Sequence, residues 1–202
     1  MKQFLVLIIF ILIGSCAAKK EAHYIQLGKQ EMANQRVDEA VKLFTKAIQL
    51  NPANAEAFFL RGLSHNFMKD YAPAIADFNR AEELQYSDSK LYTLRAYAHG
   101  MTGKNEFALQ DLNKAIAMDP EAYAGNYYNR AMLYNTLQKP DSAVADLNSY
   151  LNIAEDPYAY FQRGKIVLSK GDLTKACEDF KKAVSLGNTD AELLKVSQAL
   201  CK

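Results

Sequence analysis

Small residues return through this chain at a nearly constant interval, and that interval constrains the fold more than any other feature. Ala40, Ala74, Ala108, Ala143 and Ala176 are 34, 34, 35 and 33 residues apart. Twelve residues ahead of each stands another small residue: Gly28, Gly62, Ala96, Ala131 or Gly164. Four residues behind each stands a large apolar one: Phe44, Phe78, Leu112, Leu147 or Phe180. Three further on come Ala47, Ala81, Ala115, Tyr150 and Ala183, so one unit is used five times. A unit of this size cannot bury its apolar face alone and must stack on its neighbours. Stacking leaves an extended groove, and a groove binds something.

Inside each unit the apolar spacing is that of a helix rather than a strand. Ala40, Val41, Phe44, Ala47 and Ile48 share one face of a helix over 38–50, and the steps repeat in 74–84, 108–118 and 176–186. Turn signals divide each unit in two: Asn34-Gln35, Lys69-Asp70, Gly103-Lys104, Lys139-Pro140 and Gly171-Asp172. Pro73 and Pro140 fall in first turns, where a missing N–H costs little. Asn51-Pro52, Asp119-Pro120 and Asp156-Pro157 stop helices between units. The net charge of +1 supplies no basic excess to grip phosphates, which argues against nucleic acid as a partner.

With these residues in phase, the chain resembles the tetratricopeptide repeat (TPR) family. The resemblance implies an all-α fold, a right-handed α-solenoid of five helical hairpins over residues 21–190. The repeats would be 21–54, 55–88, 89–123 (with a one-residue insertion at Tyr123), 124–156 and 157–190. Tyr150 departs from the pattern, replacing a small residue near the end of its second helix. Residues 191–202 carry Leu193, Leu194, Val196 and Leu200 at helical spacing and are expected to cap the stack.

The first 15 residues stand apart. Lys2 is followed by ten unbroken apolar residues, Phe4 to Ile13, the shape of an export signal. The uncharged stretch falls short of the roughly 20 residues that a spanning helix needs. Ile13-Gly14-Ser15-Cys16 resembles a bacterial lipobox, in which the cysteine is acylated and becomes the first residue. The alternative is an ordinary cleaved signal near Ala17 or Ala18. Residues 16–20 would then form a short lipidated linker, at most ~18 Å over five extended residues, holding the repeats near the bilayer. Without Lys2 the chain has 23 basic and 23 acidic residues, so no global charge presses it onto anionic lipid.

Arg61, Arg95, Arg130 and Arg163 share one position of the first helix, and Asp77, Asp111, Asp146 and Asp179 lie 16 residues after them. Repeat 1 has Leu27 and Leu43 at both places. The two positions change together, which predicts a partly buried ion pair in each of repeats 2 to 5. The other reading is an arginine ladder for an anionic ligand. Cys177 and Cys201 are expected to form a disulfide in an exported protein, and the end of the chain resembles that of exported Bacteroidota TPR proteins; two buried thiols are the alternative.

His65 and His99 occupy one repeat position, too far apart at helix-packing distance to share a metal. No metal or other cofactor is expected. No phosphate-binding glycine loop or nucleophile motif is present, so an enzyme is not expected. In TPR folds the first helices line the concave face. By position, that assigns partner binding to Phe59, Leu63, Asn66, Phe67, Tyr97, Met101, Tyr128, Met132, Asn135 and Phe161. Aromatic and methionine side chains suit a protein or peptide. The expected function is a membrane-anchored scaffold or adaptor, an assembly factor in a bacterial envelope complex. Its place would be the periplasmic face of the outer membrane. The alternative is a carrier of a small molecule or glycan.

Overall fold

A computed structural model describes the backbone of residues 2–121 and 123–201, with side chains from residue 18 onward in those ranges. It shows eleven helices and no strand among the described residues. The chain forms two compact units, Met1–Ala108 and Leu109–Lys202. The first holds α1 (Lys2–Ala33), α2 (Val37–Leu50), α3 (Ala55–Phe67), α4 (Tyr71–Glu83), α5 (Ser89–Met101) and the first turn of α6 (Asn105–Met118). The second holds the rest of α6, then α7 (Gly125–Thr136), α8 (Pro140–Ile153), α9 (Pro157–Ser169), α10 (Leu173–Ser185) and α11 (Ala191–Leu200).

The small residues exist because a ring needs their space. A methyl group on Gly164 would stand 2.5 Å from Phe180 Cε1, and one on Gly28 would stand 2.5 Å from Phe44 Cε1. Three repeats pair glycine with phenylalanine: Gly28–Phe44, Gly62–Phe78 and Gly164–Phe180. The other two place alanine and leucine at the same positions, Ala96 with Leu112 and Ala131 with Leu147. Volume added on the first helix is removed from the second. All five large residues are buried, as are the small alanines beside them.

Every hairpin turns through one residue in the left-handed region: Gln35, Lys69, Gly103, Gln138 or Gly171, with φ between 56° and 87°. The amide after it donates back to a carbonyl five residues earlier, as from Arg36 to Glu31 (2.9 Å) and from Lys139 to Tyr134 (2.8 Å). This is a Schellman cap, which satisfies carbonyls at the end of the first helix. Starts are capped differently. Asn54, Asp88, Asp156 and Asp190 accept amide hydrogens at the first turns of α3, α5, α9 and α11, serving donors that have no partner inside the helix.

Helix α1 runs unbroken through 16–20, the stretch expected to be a short linker. Ala17, Ala18, Lys19, Lys20 and Glu21 are strong helix formers, so this stretch rises only about 7.5 Å. The Cys16 side chain lies outside the described residues. Among the described residues no helix is long and apolar enough to cross a membrane. Helix α11 packs on α10 through the fully buried Leu193, and a disulfide joins Cys177 to Cys201 with their Cα atoms 5.3 Å apart.

Candidate functional site

The first helices expose a set of large apolar side chains within the first unit. Phe67 is 65% exposed, Met101 54% and Tyr97 51%. Helical geometry aims them: Phe67 and Met101 end α3 and α5, and Tyr97 lies one turn before Met101. Leu63, Asn66, Phe67, Lys69, Leu94 and Tyr97 line a cavity of about 300 Å³. Four of the expected partner-binding residues, Leu63, Asn66, Phe67 and Tyr97, thus meet in one place. Asn66 is buried and donates through Nδ2 to the Leu94 carbonyl at 2.9 Å. Tyr71 packs edge-on against Tyr97 with ring centres 5.9 Å apart, and its phenol is pushed up, first by the neighbouring Tyr97 hydroxyl and then by burial.

Two expected partner residues belong to the core instead. Phe59 and Phe161 are only 6% and 4% exposed. They hold the same repeat position and meet the large ring of their own second helix, Phe78 at 6.0 Å and Phe180 at 5.9 Å. Their position faces between helices rather than outward, so helical spacing alone could not separate them from the exposed row. In the second unit Tyr128 and Met132 are half-buried against a core of Ala131, Ala143, Leu147, Ala159 and Ile166, while Asn135 is exposed. Tyr150 is accommodated by its hydroxyl, which donates to Asp156 at 2.9 Å, and by its ring, 5.5 Å from that of Tyr128. Burial, then the Asp156 contact, pushes its phenol up to about 12.

The charged pairs form a fixed constellation. Arg61, Arg130 and Arg163 each make two hydrogen bonds of 2.6–2.9 Å to Asp77, Asp146 and Asp179. The hydrogen bonds to Asp146 and Asp179 hold the Arg130 and Arg163 pKa values up. Each arginine also reaches into the preceding repeat, to Thr45, Asn113 or Asn148. Arg95 reaches Asn79 in the same way, at 2.8 Å, and Glu82 at 2.6 Å. Asp111, its expected partner, is buried in the other unit. Phe58, Tyr92, Tyr127 and Tyr160 lie under the four guanidinium groups at 5.3–5.8 Å, a cation–π contact. Sequence reading missed both companion rows, although Thr45, Asn79, Asn113 and Asn148 recur at 34, 34 and 35 residues. Bonded both to its own repeat and to the one before, this constellation forms a rivet between repeats.

The histidines serve packing: the buried His99 ring stacks on Phe107 at 5.3 Å, and His65 Nδ1 is 4.0 Å from Asp70. Among the described residues no group of three or more His, Cys, Asp or Glu is placed to hold a metal.

Comparison with known proteins agrees with this geometry. A sequence profile described as TPR repeat matches residues 28–66, and one described as tetratricopeptide repeat matches 55–88, 124–157 and 157–188. Human tetratricopeptide repeat protein 13 is 27% identical over 153 residues, covering 73% of this chain. A DnaJ homolog subfamily C member 7 homolog of Schizosaccharomyces pombe is 27% identical over 177 residues, covering 78%. Hsc70-interacting protein 1 of Drosophila melanogaster is 36% identical over 85 residues, covering 42%. The chain spans only 18%, 36% and 22% of these relatives' own lengths. Among solved structures, MamA superposes with a TM-score of 0.79 at 22% identity, covering 87% of this chain and 96% of its own. YrrB, described as a TPR protein with an unusual peptide-binding site, gives 0.78 at 17% identity, covering 87% and 90%.

Proposed function

Because this chain belongs to the tetratricopeptide repeat family, we propose that it is a lipid-anchored scaffold that holds a protein or peptide partner on its first-helix face. The observation that carries the reading is the exposed row Phe67, Tyr97 and Met101, each more than half open to solvent on the first helices of one unit. Large apolar side chains grouped this way mark interaction surfaces, and aromatic anchors dominate binding energy. The names of relatives point the same way: one is a Hsc70-interacting protein, and YrrB is described by its peptide-binding site. The partner is an envelope protein, and the role is that of an assembly factor at the periplasmic face of the outer membrane. Support for this location comes from the apolar leader, from Cys16 where that leader ends, and from the Cys177–Cys201 bridge, since disulfides persist in oxidising compartments.

Two experiments test the two halves. Labelled palmitate should enter the wild-type protein and not Cys16→Ser; equal labelling of both would remove the anchor. Crosslinking in intact cells, followed by purification from membranes, should capture a protein that is lost with Phe67→Ala/Tyr97→Ala. Capture unchanged in that folded variant would move the interaction off this face.

A further inference from the structure

The cavity between α3 and α5 has a chemistry of its own. Its walls are Leu63, Phe67, Leu94 and Tyr97, and its single charge is Lys69. Lys69 sits in the left-handed turn position, φ 64°, so its backbone is fixed at the cavity rim by the Schellman cap. It makes no ion pair among the described residues, and the neighbouring Asp70 stands by His65 instead. Asn66 ties α3 to α5. The carbonyl of Leu94 cannot donate, so the atom facing it must be Nδ2, and the carboxamide oxygen is left over. That oxygen, Asn66 Oδ1, is buried without a hydrogen-bond partner. A volume of about 300 Å³ is at the bottom of the range for small-molecule sites. It suits one side chain of a longer ligand better than a whole glycan.

Resting on the groove reading above, we propose that this cavity receives one apolar side chain of a peptide segment whose next residue is acidic. The side chain lies among Leu63, Phe67, Leu94 and Tyr97. The carboxylate meets Lys69. A purely hydrocarbon ligand would leave Lys69 unmet, and a basic segment would face it with like charge.

The test uses the full chain in detergent micelles with methyl-labelled leucine, observed by NMR. Three capped hexapeptides are titrated: Gly-Ser-Leu-Asp-Ser-Gly, its Leu-Lys counterpart and its Ser-Asp counterpart. The Leu-Asp peptide should shift the Leu63 and Leu94 methyl signals and bind about twofold to fivefold more tightly than the Leu-Lys peptide, the range of an exposed ion pair. The Ser-Asp peptide should shift neither signal. Lys69→Glu should reverse the preference while leaving the unliganded spectrum of the second unit unchanged. Equal binding of the Leu-Asp and Leu-Lys peptides would overturn the proposal, as would shifts only at leucines of the second unit or no shift with any peptide. The groove reading fails separately. If the in-cell partner is still lost with Phe67→Ala/Tyr97→Ala while the peptides show no preference, only the chemistry assigned to this cavity is wrong.

Discussion

At the scale of single residues, two complementary pairs hold the repeats. The first is steric. Gly164→Ala forces a methyl group to 2.5 Å from Phe180 and should destabilise the protein by about 1–3 kcal/mol, the cost of overpacking. Adding Phe180→Leu should recover a large part of that loss, because Ala131 with Leu147 is the same solution used one repeat earlier. A double-mutant cycle by urea denaturation measures the coupling; strictly additive losses would contradict the pairing. The second is electrostatic. Asp146→Leu leaves the half-buried Arg130 without its two carboxylate acceptors. Losing one partner of a buried pair costs up to about 3–5 kcal/mol, whereas replacing both by apolar residues can be nearly neutral. Arg130→Leu/Asp146→Leu should therefore be more stable than Asp146→Leu alone, and the reverse order would remove the rivet from this account.

At the scale of elements, turns and the C-terminal helix are the informative parts. Among the described residues, four left-handed turn positions are not glycine: Gln35, Lys69, Gln85 and Gln138. A side chain there costs about 1–2 kcal/mol, partly offset by the greater freedom glycine loses on folding. Gln138→Gly should raise stability by about 0.5–1 kcal/mol in thermal unfolding; a lower melting temperature would mean that the glutamine side chain makes a contact worth more than the strain. The bridge from Cys177 to Cys201 spans 24 residues, worth ~3 kcal/mol in the chain-entropy model. Cys177→Ala/Cys201→Ala should expose the amides of α11 first in hydrogen exchange, and unchanged exchange there would show that Leu193 packing alone retains the helix. Much of this level was legible in the sequence. The interval between alanines located every hairpin, and the turn dipeptides located the break inside each one. The glycine–phenylalanine exchange and the asparagine row were also present as intervals; the first took its meaning from the ring lying on the glycine, the second from the arginines reaching backward into the preceding repeat. Phe59 and Phe161 could not be sorted from Phe67, because a helix with neighbours on two sides buries more than one stripe. Asn66 reads in sequence as one more polar first-helix residue; its unpaired oxygen is a fact of packing.

At the scale of the whole molecule, the rivets also carry a direction. An arginine needs an acceptor in the repeat before it, and repeat 1 has Leu27 and Leu43 where the others have charge. Thr45, Asn79, Asn113 and Asn148 supply acceptors to the repeat that follows, and repeat 5, which α11 covers, has Lys181 at that place. Stacking occupies the guanidinium groups, while Phe67, Tyr97 and Met101, the surface proposed for the partner, stay exposed. The balance of 24 basic and 23 acidic residues leaves little net charge to steer a partner from a distance, so the proposed function rests on local contacts. The most direct test places a photo-crosslinking amino acid at Phe67 in living cells, with Ala76, exposed on the second helix α4, as the comparison. A discrete protein adduct at position 67 and none at position 76 is the result this account predicts. Equal adducts at both positions, or an adduct at 76 alone, would contradict it.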